Sequence, residues 1–174
     1  MKGTFHQPAL RLMDGDILMT KSSYRAPVEF LIKAKTDHRN LRFRYAGAQV
    51  IFNWEIDEDQ FRIDGGPADG RHVKGQGRIP KGEYVSVRWI VMPTYQKIFV
   101  DDELRFEHKG DYSKIKEPLS VYTIGKSEVR VKSIKVRRFE EPKKEPEPKK
   151  VEDQNGKEPF KQRGNEAPPE VTLR

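Results

Sequence analysis

The sequence predicts an all-β chain, a two-sheet antiparallel β-sandwich followed by a disordered tail, and three observations carry that expectation. Apolar and polar residues alternate through most of residues 1–139, and no window much longer than about a dozen residues keeps a helical spacing. Turn-forming residues cut the alternation into about ten short strands, more than one open sheet holds comfortably, so two sheets must pack face to face. From Glu140 onward, EEPKKEPEPKKVEDQNGKEPFKQRGNEAPPEVTLR is so poor in apolar residues that it cannot offset the entropy of ordering. The sandwich is therefore placed at 1–139 and the tail at 140–174.

The elements follow in order. Leu10–Met13 and Asp16–Thr20 flank Asp14-Gly15, a dipeptide suited to a tight hairpin turn. Val28, Phe30, Ile32 and Ala34 share one strand face. Leu41, Phe43 and Tyr45 alternate with Arg42 and Arg44. After Ala46-Gly47-Ala48, the residues Val50, Phe52, Trp54 and Ile56 form the inward row of a strand spanning 50–56, and Phe61 and Ile63 mark its partner. The glycine-rich stretch 65–82 reads as a long loop with one short strand inside it. Val85, Val87, Trp89 and Val91 resume the alternation, followed by Ile98 and Val100, the turn Asp101-Asp102-Glu103, Leu104 and Phe106, and a closing group from Leu119 to Val136.

Composition narrows the chemistry. The chain of 174 residues has a net charge of +7 and no cysteine, which excludes disulfides, thiol catalysis and cysteine-based metal sites. The positive charge belongs to residues 1–139, with 26 Lys and Arg against 18 Asp and Glu. Basic charge invites nucleic acid, but no helix or RNA-binding signature accompanies it, and nucleic acid is not the expected partner. No apolar run is long enough to span a membrane and none resembles a signal peptide, so the default location is cytoplasmic, or extracellular if the chain is cut from a larger secreted protein. The histidines at 6, 38, 72 and 108 lack metal-ligand spacing, Gly75-Gln76-Gly77 does not link a strand to a helix, and no serine has the setting of a nucleophile elbow. No catalytic residue, metal or cofactor is assigned.

The stretch NWEIDED, residues 53–59, is the one that imitates an active site. Glu55, Asp57 and Asp59 alternate as the carboxylates of laminarinase-type glycosidases do, and a calcium loop could use the same oxygens. A strand running through Asp59 would carry Glu58 into the core, at a cost of several kcal/mol. The strand is therefore expected to end near Ile56 or Asp57, leaving Asp57–Gln60 as a turn into Phe61. Trp54 and Trp89 are assigned to the core by parity, and Tyr24, Tyr95 and Tyr112 to loops where rings could stack on a ligand.

The segment IPKGEYVSVRWIVMPTYQKIFVDDELRFE, with Gly82-Glu83-Tyr84 opening a strand and Val100–Leu104 forming a turn phrase, resembles concanavalin A-like jelly rolls, especially laminin G-like and 3-keto-disaccharide hydrolase-like domains. SEVRVKSIKVRRF resembles their closing strand and MDGDILM their opening hairpin. Asp102 stands where those families usually have glycine. The resemblance implies a fold and little chemistry.

Arg42, Arg44, Asn53, Glu55, Arg62, Asp64 and Arg88 all fall on the outward parity of strands expected to be neighbours, and they form the candidate ligand-binding set. Arginine and asparagine with interleaved acids can hydrogen-bond hydroxyls or a sugar carboxylate; the same residues also fit a solvated sheet face with cross-strand ion pairs. The function expected from these residues is a non-catalytic binding module for carbohydrate or another protein. The alternatives are a glycoside hydrolase-like enzyme using the same acids, and a protein-interaction accessory domain.

Overall fold

The computed structural model describes residues 9–139; the expectation of a disordered tail at 140–174 falls outside that range. Fourteen strands follow in chain order. The first seven are β1 (Leu10–Leu12), β2 (Ile17–Met19), β3 (Tyr24–Arg25), β4 (Val28–Thr36), β5 (Leu41–Arg44), β6 (Gln49–Phe52) and β7 (Gln60–Asp64). The others are β8 (Arg71–Lys74), β9 (Val85–Met92), β10 (Tyr95–Val100), β11 (Glu103–Lys109), β12 (Lys116–Glu117), β13 (Ser120–Tyr122) and β14 (Val129–Arg138). They build one six-stranded sheet of order β1-β14-β4-β9-β10-β11, a second of order β2-β13-β5-β6-β7-β8, and a small ribbon of β3 with β12. All pairs within these sheets are antiparallel. The all-β sandwich expected from the alternation is the fold observed.

The core forms where the inward rows of the two sheets meet. Phe30 on β4 and Trp89 on β9 come from the first sheet, and Phe43 on β5 and Phe52 on β6 from the second; all four are fully buried. Trp89 is the hub. Its ring lies edge-on to those of Tyr45, Phe30 and Phe43 at centroid distances of 5.9, 6.3 and 6.5 Å, within the range favoured by aromatic quadrupoles. Its indole N–H donates to Gln96 Oε1 at 2.9 Å, so the buried polar atom is satisfied.

Three local expectations need correction. The Asp14-Gly15 turn exists, with Asp16 N–H donating to Met13 O, but it does not make a hairpin: β1 pairs with β14 in one sheet and β2 with β13 in the other. The turn carries the chain across the sandwich, a choice set by the partners waiting in each sheet rather than by the dipeptide. Tyr112 is fully buried, not an exposed platform, and its hydroxyl meets His108 Nδ1 at 2.8 Å. Trp54 is not in the core; the reason lies in the backbone at Asn53, described below.

The turn between β10 and β11 holds Asp101 at φ 48° and Asp102 at φ 67°, the paired left-handed conformation of a type I′ hairpin. Asp101 earns its place by accepting a hydrogen bond from Ser86 N–H at 2.8 Å. Asp102 is exposed and makes no such bond, so it bears the left-handed strain without compensation. Asp102→Gly is expected to raise stability by about 0.5 kcal/mol and Asp102→Val to lower it, as read by thermal denaturation.

Candidate functional site

The outer face of the second sheet carries a connected polar network. Cross-strand register places Tyr122, Arg42, Ile51, Arg62 and His72 in one row over β13, β5, β6, β7 and β8, with Gln49 opposite Asp64 at the next outward position. Arg42 is the anchor of this row. Its side chain is only 4% exposed, yet its donors are engaged: Nε donates to Asn40 Oδ1 at 3.1 Å, Nη1 to Gln49 Oε1, and Nη2 to both Glu55 oxygens at 2.6 and 2.7 Å. Asn40 is itself fixed by Thr123 and by both backbone polar groups of Ile124. A buried guanidinium needs this complement, because an unpaired one would cost several kcal/mol.

The chain of bonds continues outward. Gln49 Nε2 donates to Asp64 Oδ2 at 2.6 Å, and Arg62 Nε donates to the same carboxylate at 2.9 Å. Burial pushes the Asp64 carboxyl up, but the hydrogen bonds from Arg62 and Gln49 outweigh it and hold the group below its ordinary 3.8. With the folded value below the unfolded one, its contribution to stability is complete above the ordinary carboxylate range. It is lost only as the pH falls through the depressed value. Ile51, opposite both Arg42 and Arg62, is 1% exposed although it points outward. The arginine stems flanking it suit that burial.

Above this sheet lies NWEIDED, and its path is set by one residue. Asn53 adopts φ 48°, a left-handed conformation that asparagine tolerates better than most residues, and β6 ends at Phe52. The predicted strand to Ile56 is therefore four residues too long, and the inside–outside alternation stops at Asn53. Trp54 emerges on the outer face, half-buried, with the Arg62 guanidinium carbon 4.5 Å from its ring centroid and the His72 ring 5.8 Å away. Ile56, also counted inward, is 78% exposed.

Asn53 itself is fully buried and not available to a ligand. Its amide donates to Ile79 O at 3.0 Å and accepts from Ile79 N–H at 2.8 Å, copying a strand pairing with the 75–82 loop. That loop packs so closely on β7 that a Cβ at Gly77 would run into the Gln60 carbonyl group, while Gly77 exchanges backbone bonds with Asn53 and Asp59. Only glycine fits there.

The acids of the turn have structural work. Gln60 N–H donates to Asp57 O, Asp57 Oδ1 accepts from Asp59 N–H, and Asp59 Oδ2 accepts from Gly75 N–H. Glu58 pairs with Lys81 at 2.6 Å and Arg78 at 3.4 Å; the Lys81 hydrogen bond foremost holds its carboxyl below the usual range. These groups and Ile79 line a cleft of about 500 Å³ whose charges already satisfy one another. Among the described residues no three His, Cys, Asp or Glu side chains cluster as metal ligands would. Glu58→Gln is expected to change stability by no more than about 0.5–1 kcal/mol and to leave ligand binding unchanged, checked by denaturation and titration calorimetry.

Of the seven residues in the candidate set, Arg42, Glu55, Arg62 and Asp64 come together. Arg44 lies on the same face, 5.7 Å from the Tyr122 ring and bonded to Ala48 O, outside the network. Asn53 is withdrawn as described. Arg88 is on β9, in the other sheet, where it stacks on Phe99 at 4.2 Å and faces Glu29 and Asp102. Outward parity alone could not assign a strand to a sheet. Asn40, Gln49, Trp54 and His72 were missed. Gln49 and His72 share the parity of their cross-strand partners, but only the register reveals that they meet.

The two packed six-stranded sheets define a concanavalin A-like jelly roll, the fold the sequence resembled. Galectin LEC-6 of Caenorhabditis elegans is similar in structure at a TM-score of 0.52 and 6% identity, over 74% of this chain and 96% of the galectin. A β-glucanase of Bacillus licheniformis gives 0.56 at 9% identity over 75% and 78% of the two chains. Sheep galectin-11, in complex with glycerol, gives 0.50 at 12% identity over 72% and 99%. At these identities the likeness is one of fold. No protein-family model and no curated protein matches the sequence.

Proposed function

We propose that this chain is a carbohydrate-binding module whose ligand lies on the outer face of the second sheet. The observation that carries the reading is the pre-ordered network from Asn40 through Arg42, Glu55, Gln49 and Asp64 to Arg62, set beside the half-exposed indole of Trp54. Sugar recognition requires such a combination: fixed donors and acceptors that match vicinal hydroxyls, and an aromatic body beside which the C–H face of a ring can rest. Arg62 spends Nε on Asp64 and leaves its Nη groups without a hydrogen-bond partner among the described residues, so they are free to donate. Because the side chains are held before a ligand arrives, little entropy is lost in ordering them. The galectin and glucanase neighbours support a fold suited to sugars.

Binding is favoured over hydrolysis by the state of the carboxylates. A retaining glycosidase needs one carboxyl with a raised pKa as acid and a second about 5–5.5 Å away as nucleophile. Asp64 is shifted the opposite way, and both Glu55 oxygens are taken by Arg42. A glycan array probed with the full chain, followed by incubation of each bound glycan and product analysis, tests the reading. Binding without cleavage is expected. Turnover that disappears in Glu55→Gln would replace the module with an enzyme.

A further inference from the structure

The opposite face of the sandwich, the outer side of the first sheet, carries cations that the fold leaves uncompensated. In one row Arg11, Arg130 and Lys35 stand directly opposite one another on β1, β14 and β4. Like charges in that position destabilise a sheet. Glu128 answers the two arginines, at 2.6 Å from Arg11 and 2.5 Å from Arg130, but not the lysine. The next positions add Lys33 on β4 and, at the irregularity between Val131 and Ser133, Lys132 on β14; Lys135 follows opposite Leu31. Among the described residues Lys33, Lys132 and Lys135 are exposed and make no ion pair or side-chain hydrogen bond. Protection of a sheet edge, the usual use of lysine on a strand, does not explain Lys33, since β4 is third of six strands; Lys132 and Lys135 lie on the part of β14 beyond its pairing with β1 at 129–131.

From this geometry we infer that the lysine face of β4 and β14 is a second binding surface, for an acidic polysaccharide bearing sulfate or uronate groups. Lysines two residues apart on a strand sit about 7 Å from each other and neighbouring strands about 5 Å apart, so the ammonium groups form a grid over which an extended polyanion can lie. Lysine acts as a point charge that suits single anionic groups spaced along a chain, and among the described residues no α-helix is present to enter a nucleic-acid groove. Beside this grid the Tyr84 ring has the Lys35 and Lys132 ammonium groups 5.1 and 5.8 Å from its centre, which holds both cations on the face. Those features favour an acidic glycan over nucleic acid.

The full chain is titrated at several salt concentrations with heparin as the sulfated probe and polygalacturonate as the carboxylated one. Duplex DNA and phosphatidylserine vesicles are the competing polyanions. Binding to either glycan with affinity falling steeply as salt rises is expected, and the stronger of the two identifies the recognised group. The variant Lys33→Ala/Lys132→Ala/Lys135→Ala is expected to bind about tenfold or more weakly with an unchanged melting temperature. Lys21→Ala/Lys74→Ala/Lys114→Ala, which removes equal charge elsewhere, is expected to bind as the wild type. Equal loss in both variants, no binding to either glycan, or tighter binding to DNA or vesicles would each overturn the inference.

Discussion

Trp89→Ala is expected to lower stability by about 3–5 kcal/mol, because it empties the largest side-chain site at the meeting of the two sheets. The ring touches aromatic residues from both inward rows, so the surrounding structure can collapse into the space only by moving both sheets. The substitution also strands Gln96 Oε1, a buried acceptor whose partner is the lost indole N–H. For a domain of this size the melting temperature should fall by roughly 10–20 °C. Trp89→Phe, which keeps the ring and loses the donor, should cost distinctly less. A loss below about 1 kcal/mol in the alanine variant would show that Trp89 does not hold the sheets together.

The second large effect is expected at Glu55. Glu55→Ala removes the carboxylate that accepts twice from Arg42 Nη2 and leaves a guanidinium whose side chain is 4% exposed without its counter-charge. Breaking a fully buried pair in this way costs about 3–5 kcal/mol. Glu55 is partly open to solvent, its side chain 29% exposed, so water can replace some of the interaction and a cost of about 2–3 kcal/mol is expected. Arg42→Met/Glu55→Ala removes both charges together and should be more stable than Glu55→Ala alone, while still abolishing ligand binding. Chemical denaturation of the two variants separates these outcomes. If Glu55→Ala is as stable as the double variant, the pair is a surface ion pair and the network does not organise the face.

What the sequence revealed of this molecule was its periodic part. Val85 to Val91 and Val28 to Ala34 alternate without interruption, and both runs became strands with the predicted faces buried, because a two-residue period has one structural solution. The turn at Asp57–Gln60 was legible from the penalty of placing Glu58 in the core. Parity failed where a single residue left the extended region. Asn53 reversed the facing of Trp54, and with it moved an indole from the predicted core to the candidate site; asparagine was the available signal, since few other residues accept positive φ. Sheet membership was not legible at all for Arg88 or for β1 and β2. Which strand pairs with which is decided by contacts between residues far apart in the chain, such as β14 with β4, and local pattern holds no record of them. The network around Arg42 shows the same division: its outward residues were readable, but the bonds joining Gln49 to Asp64 depend on register.

The central claim is that the face bearing Arg42, Glu55, Arg62 and Trp54 holds a carbohydrate. Its most direct test is to map, by NMR chemical-shift changes in the full chain, where a glycan selected by array binding makes contact. The account predicts that the Trp54 indole N–H, the Arg62 side chain and the backbone amides of β5 to β8 shift together and saturably, while the Trp89 indole and the amides around Arg88 stay in place. Shifts confined to the cleft at Glu58 and Lys81, or to the sheet carrying Arg88, would contradict it.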